Sequence, residues 1–112
     1  MATELKEGKE AKAARLTRAQ RMTILKALAD PRRFELLERI ARAQCPLACS
    51  DALSALAISP ATLSHHIKEL ETAGLIEVQR EGKFAYLSLR PGVLESLAAG
   101  LAALNPGSCP GR

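Results

Sequence analysis

Aromatic side chains are nearly missing: two Phe, one Tyr and no Trp, 3% of 112 residues. Stacking platforms for single-stranded nucleic acid need aromatics, so that class is excluded. A large aromatic ligand pocket is disfavoured for the same reason. No apolar run approaches the roughly 18 residues that read as a membrane span. The start, Met1-Ala-Thr-Glu-Leu-Lys-Glu-Gly8, is charged and has no apolar h-region. No secretory signal is expected, and the location reads as cytoplasmic. Cysteine is scarce and odd in number, three in all. A disulfide framework is therefore not expected, and a reducing cytoplasm keeps such residues as thiols. A Gly-rich phosphate loop and a paired-carboxylate site are both absent. Cys45-x-x-x-Cys49 is not the Cys-x-x-Cys of thioredoxin-like enzymes. An enzyme is not expected, and no obligatory cofactor is implied.

The residues that are present suit one small domain. Apolar side chains make up 47% and charged ones 25%, enough for a core without a metal or disulfide staple. The formal net charge is +4. Residues 1–33 hold nine basic and four acidic side chains, a local +5, and the remainder is −1. A basic balance points weakly to nucleic acid, because neutralising phosphates takes Lys and Arg. A solvated basic helix accounts for it equally well.

Along the chain the pattern is mostly helical. Residues 1–12 are rich in Lys, Glu and Ala without an apolar stripe, and read as a flexible end. Leu16, Ala19, Met22, Ile24, Leu25 and Leu28 predict a first helix over about 13–29. Asp30-Pro31 ends it and opens a second, because Asp caps and Pro suits the first helical position. The second carries Phe34, Leu37, Ile40 and Ala41 on one face and runs to about Ala43. Residues 44–50 read as a connection, since Pro46 disfavours helix at Cys45. Ser50 or Asp51 is the expected cap of a short third helix with Leu53 and Leu56 inward. Ala57-Ile58 is a tight turn. Ser59-Pro60 repeats the cap-then-Pro signal and opens a fourth helix with Leu63, Ile67 and Leu70 inward, stopped at Gly74. Residues 75–80 and 83–89 then read as a hairpin around Glu81-Gly82. A last helix, about 92–104, sets Leu94, Leu97, Leu101 and Leu104 in a narrow seam suited to pairing with another helix. Residues 105–112 read as a flexible tail. The domain is thus expected over 13–104.

This order predicts a mainly α fold with a β-hairpin wing, a winged helix-turn-helix. The turn Ala57-Ile58 joins its two central helices. On the second of them, Ser59, Thr62, Ser64, His65 and Lys68 bunch polar groups near the start, where a recognition helix meets base edges and phosphates. Arg80 and Lys83 at the hairpin tip can reach the adjacent backbone. Taken alone, Ser59 reads as a cap, and the whole helix can be read as merely amphipathic. A winged helix that only binds proteins remains the other class, but it needs no polar cluster there.

Three stretches resemble the ArsR (ArsR/SmtB) family of bacterial transcription regulators. Leu25-Lys-Ala-Leu-Ala-Asp-Pro-Arg-Arg-Phe-Glu-Leu-Leu37 is similar to its first-to-second helix junction. Ile58-Ser-Pro-Ala-Thr-Leu-Ser-His-His-Ile-Lys-Glu-Leu-Glu-Thr-Ala-Gly-Leu-Ile76 is similar to its recognition helix. Arg80-Glu-Gly-Lys-Phe-Ala-Tyr-Leu87 is similar to its wing. The resemblance covers roughly residues 20–90. It implies a homodimeric repressor of double-stranded operator DNA, with first and last helices at the dimer interface and release by a ligand. It implies base contacts by Ala61, Thr62, Ser64 and His65, and backbone contacts by Lys68 and the wing.

The expected sensor departs from the family. Its arsenic-sensing members carry Cys-x-Cys-Asp at the start of the third helix, where this chain has Ala48-Cys49-Ser50-Asp51. Its zinc-sensing members use His and carboxylates on the last helix, where this chain offers Glu95 and no His. Neighbours His65 and His66 lie about 100° apart on a helix and cannot clamp one metal from one face. His66 reads as a packing residue that hydrogen-bonds within the fold. Cys45, Cys49 and Cys109 remain as candidate thiolate ligands for a soft ion such as arsenite, As(III). Cys109 can reach about 13 Å beyond Leu104 at ~3.3 Å per residue. A Cys45–Cys49 redox switch and three inert thiols are the alternatives.

Overall fold

Thr17 begins the first helix, α1 (Arg18–Leu28), in a computed structural model whose described residues are 15–107. The Thr17 hydroxyl accepts from the Gln20 amide at 3.0 Å, and the Thr17 amide donates to Gln20 Oε1 at 2.7 Å. This reciprocal box satisfies two otherwise orphaned donors and fixes the helix start. The helix therefore begins several residues later than its apolar spacing suggests. Ile24 and Ala27 face the core, while Met22 is exposed, which corrects the expected inward face.

Helix α2 (Pro31–Arg42) starts as predicted. Asp30 accepts from the Arg33 amide at 3.0 Å, and Pro31 occupies the first turn. Its buried residues are Leu36, Leu37 and Ile40. Phe34 and Ala41, expected inside, lie outside. Leu36 takes the core position instead, beside Leu37, at the 3–4 spacing that Ile40 requires.

A strand not legible in the sequence follows. Strand β1 (Leu47–Ala48) pairs antiparallel with the second wing strand, Leu47 opposite Leu87 and Ala48 opposite Tyr86. Helix α3 (Cys49–Leu56) follows at once, with Ala48 at its N-cap and no side-chain cap. The expected cap by Ser50 or Asp51 is thus corrected: both lie inside the helix. The β1 pairing carries the chain straight into the first turn. Ala57 ends α3 in the left-handed region at φ 53°, a conformation that costs a residue with Cβ about 1–2 kcal/mol. The Arg32 guanidinium donates to Leu56 O at 3.1 Å and satisfies one open carbonyl there.

Helix α4 (Pro60–Thr72) is capped by Ser59, whose hydroxyl accepts from the Thr62 amide at 3.1 Å. Leu63, Ile67 and Leu70 are buried as the spacing predicts, and His66 joins them. Strands β2 (Ile76–Glu81) and β3 (Phe84–Leu89) form the wing, and the sheet order is β1-β3-β2. Glu81 pairs with Phe84, so the turn is Gly82-Lys83, one residue later than predicted. Gly82 has φ +62° and Lys83 does not share the positive sign. A positive φ at the first turn position alone matches a type II′ turn, which glycine adopts without strain.

Helix α5 (Val93–Ala102) closes the domain. Val93, Ser96 and Leu97 face inward, and Leu94 packs partly on the same core. Leu101 stays 43% exposed and Leu104, beyond the helix end, 77%. The expected seam of four leucines is therefore divided: two serve the core and two are left outside. At Gly100 an added Cβ would sit 3.1 Å from Arg21 Cδ, so α5 runs close beside α1. Five helices and a three-stranded antiparallel sheet thus surround one core among the described residues. No helix among them is long and apolar enough to cross a membrane.

Candidate nucleic-acid interface

Burying Leu63, His66, Ile67 and Leu70 turns the opposite side of α4 to solvent. Ser59, Ala61, Thr62, Ser64, His65 and Lys68 are all exposed on it. These are the residues expected to meet DNA. Ser59 has two tasks: besides capping, its hydroxyl donates to Thr62 Oγ1 at 2.9 Å. The Thr62 oxygen then serves as acceptor inside the protein, and its own proton is free to point outward. At the helix start Pro60 carries no N–H and Ser59 satisfies the Thr62 and Leu63 amides, so the Ala61 amide is the donor left for a phosphate.

Between α4, the start of α3 and the wing lies an open cleft of about 560 Å³. Leu53, Leu63, Ile67, Val78 and Ala85 form its apolar floor; Ser64, Lys68, Arg80 and Lys83 stand around it, with Glu71 as the one acidic side chain there among the described residues. The wing register explains Arg80: it pairs with Ala85, two positions beyond Val78 and Leu87, and so shares their face. Three cations thus converge on one side. They are also free. Arg32, Arg33, Arg39 and Arg42 of α2 are engaged with Glu35, Asp30 and Glu38. Lys68, Arg80 and Lys83 have no ion-pair partner among the described residues. Unpaired cations spaced along a groove suit a phosphodiester backbone.

His65 and His66 diverge, with ring centroids 6.1 Å apart and planes tilted by 49°. His65 is exposed on the polar face. His66 is only 5% exposed, and its Nδ1 accepts from Arg33 Nε at 3.4 Å. Its role as an internally bonded packing residue matches the sequence reading. Burial lowers its pKa, which leaves the imidazole neutral. The nearby Asp30 carboxylate pulls the other way, and Arg33 and His65 push it further down.

The cysteines sit on two sides of β1. Cys45 is exposed and borders a small cavity with Ile40, Pro46 and Leu87. Cys49 is half-buried as the first residue of α3 and borders the cleft between α4 and the wing. Burial raises its pKa, against a smaller opposite pull from Arg80. Among the described residues no three His, Cys, Asp or Glu gather into a metal-holding group. Cys109 lies outside the described residues.

Comparison with known proteins bears on this surface. A helix-turn-helix domain family model matches residues 28–79, which span α2 through most of β2. An arsenical resistance operon repressor of Staphylococcus aureus is 31% identical over 83 residues, covering 74% of this chain and 78% of that protein. The chain belongs to the ArsR family. Another relative, the transcriptional repressor SdpR of Bacillus subtilis, is 32% identical over 72 residues, covering 64% of this chain and 78% of its own. The crystal structure of an ArsR family transcriptional regulator superposes with a TM-score of 0.71 at 26% identity, covering 80% of this chain and 90% of the other. A homodimeric winged helix-turn-helix DNA-binding domain from Mycobacterium bovis superposes at 0.63 and 27% identity, covering 78% and 80%. ArsR proteins are DNA-binding transcription regulators and not enzymes. The winged helix-turn-helix expected from the sequence is the fold of this chain.

Two residues that shape this ArsR surface are not singled out by the sequence pattern. Arg33 reaches α4 across 33 positions of sequence, and no local signal reports such a pairing. Val78 places Arg80 over the cleft. Its alternation with Arg80 is visible in the sequence, but the register that makes it matter belongs to the folded hairpin.

Proposed function

We propose that this ArsR-family chain is a homodimeric transcriptional repressor that reads operator DNA with α4. Ala61, Thr62, Ser64 and His65 contact bases, and Lys68, Arg80 and Lys83 contact phosphates. The observation that carries the reading is the polar face of α4 continuing into a cleft ringed by three unpaired cations. Repressor relatives support the direction of regulation. The dimer is supported by the homodimeric neighbour and by the apolar side chains Met22, Leu101 and Leu104 left exposed. Two α4 helices then enter successive major grooves about one helical turn apart.

Release is assigned to a thiophilic ligand, with arsenite favoured, at Cys45 and Cys49. The arsenical-resistance relatives support that choice of ligand. So does the place of Cys49 in the wall of the DNA cleft. Bringing the two sulfurs onto one ion would pull β1 from β3 and shift α3, on which α4 depends. Location in the cytoplasm goes with this role.

Salt-dependent binding tests the interface. Every cation that neutralises a phosphate adds about 0.9 to the steepness of log affinity against log salt. Lys68→Ala, Arg80→Ala and Lys83→Ala are each expected to make that slope shallower on a duplex from the gene's own promoter region. Unchanged slopes in all three would remove them from the interface.

A further inference from the structure

Arg33 joins three helices through one guanidinium. Its Nη1 donates to Ala27 O near the end of α1 at 3.1 Å. Its Nη2 lies 3.9 Å from Asp30 Oδ2, the cap of its own helix α2. Its Nε donates to His66 Nδ1 on α4 at 3.4 Å. The side chain is only 12% exposed. A guanidinium holds its donors in a rigid planar fork, so fixing two of them aims the third. Here the third is aimed at the one buried polar side chain of the recognition helix. Since arginine stays charged, Nδ1 must be the bare nitrogen, and the neutral imidazole carries its proton on Nε2.

We propose that Arg33 is a positioning residue for the recognition helix, acting through neutral His66, and that protonation of His66 uncouples them and weakens operator binding in acid. The proposal rests on the operator-binding reading. A proton on Nδ1 turns the acceptor into a donor facing a donor and places two cations side by side. The hydrogen bond then opens, and α4 loses its tie to the ends of α1 and α2. The charged groups that act on His66 are Asp30 at the α2 cap, Arg33 on α2 and His65 on α4 itself. Among the described residues, α1 and β2 contribute none. The sign follows from burial, which holds the folded imidazole below its free value. Uncoupling therefore begins only as pH falls below about 6.5 and grows until the folded value is passed.

The test measures affinity for a promoter-region duplex by fluorescence anisotropy from about pH 8 to about pH 5.5. Wild type is compared with His66→Gln in the full chain. Glutamine keeps an acceptor for Arg33 and does not titrate. Both proteins are expected to bind alike at the upper limit. At the lower limit wild type is expected to bind a few-fold more weakly than the variant, short of about tenfold, because a folded imidazole held below its free value is only partly protonated about one pH unit beneath that value. His65 is present in both and so cancels from the comparison. Superimposable pH profiles would overturn the coupling alone. Absence of DNA binding by wild type at the upper limit would instead refute the regulator reading, and loss by the variant alone would show that glutamine does not replace the imidazole as the acceptor for Arg33. A second measurement needs no DNA and no variant: an NMR titration of wild type. The Arg33 Nε–H and Nη–H resonances, 33 positions from His66 in sequence, are expected to shift along the His66 titration curve as the hydrogen bond opens. If they stay still while the imidazole titrates, Arg33 does not position the helix through it.

Discussion

Leu97 and Leu101 lie one turn apart on α5 but are expected to fail in opposite ways. Leu97 is 6% exposed and packs in the core, whereas Leu101 is 43% exposed on the outer side. Truncating a buried leucine removes its transfer energy and leaves a cavity, together about 2–5 kcal/mol. Leu97→Ala sits near the lower half of that range, because α5 is the terminal helix and its flank can relax. A loss of about 3 kcal/mol lowers the melting temperature of a domain this size by more than ~10 °C. Leu101→Glu removes little buried area within the protomer and is expected to change the melt by under about 0.5 kcal/mol in dilute monomer. In a two-fold seam, though, it sets two carboxylates near one another and breaks assembly. Thermal melts followed by circular dichroism, with sedimentation velocity at micromolar concentration, separate the two effects. A wild-type melt for Leu97→Ala, or a dimer for both wild type and Leu101→Glu, would contradict this division of α5.

Ser59→Ala removes the α4 cap and is expected to cost about 1 kcal/mol of stability by denaturant titration. It also frees the Thr62 hydroxyl, so operator affinity falls further than the melt alone accounts for. The Asp30 carboxylate is held below its usual range, first by the Arg33 amide. Its contribution is therefore present above the unfolded value and lost as pH falls through the folded one. Asp30→Asn is expected to flatten the fall of stability in acid unfolding below about pH 4. Iodoacetamide at neutral pH is expected to modify exposed Cys45 before Cys49, whose thiol is pushed up by burial. Mass spectrometry of a peptide digest reads the order, and equal rates would place Cys49 in a more open setting than its half-buried start of α3.

Much of this fold is written locally. Asp30-Pro31 and Ser59-Pro60 announce two helix starts, because a capping oxygen and a proline ring act within one turn. The inward face of α4 follows from 3–4 spacing, and its outward face is the candidate site. Local signals fail where partners are distant. Strand β1 is two residues long and exists because Leu47 and Ala48 meet Leu87 and Tyr86 about forty positions away. That pairing also starts α3 at Cys49, where Ala48 has no polar side chain to signal a cap. In α5 the leucine spacing shows an apolar stripe but not which half of it the core takes. The start of α1 is a different case: the Thr17-x-x-Gln20 box is a local signal, and Leu16 masks it by extending the apolar spacing one turn too far.

In the proposed function the polar face of α4 reads base sequence. Its most direct test is the affinity of wild type and His65→Ala for a promoter-region duplex and for a scrambled duplex of equal length. A base contact is worth about 1–3 kcal/mol. His65→Ala is therefore expected to bind the promoter duplex about 5- to 150-fold more weakly, with little change on the scrambled one. Equal losses on both duplexes, or none on either, would contradict the claim.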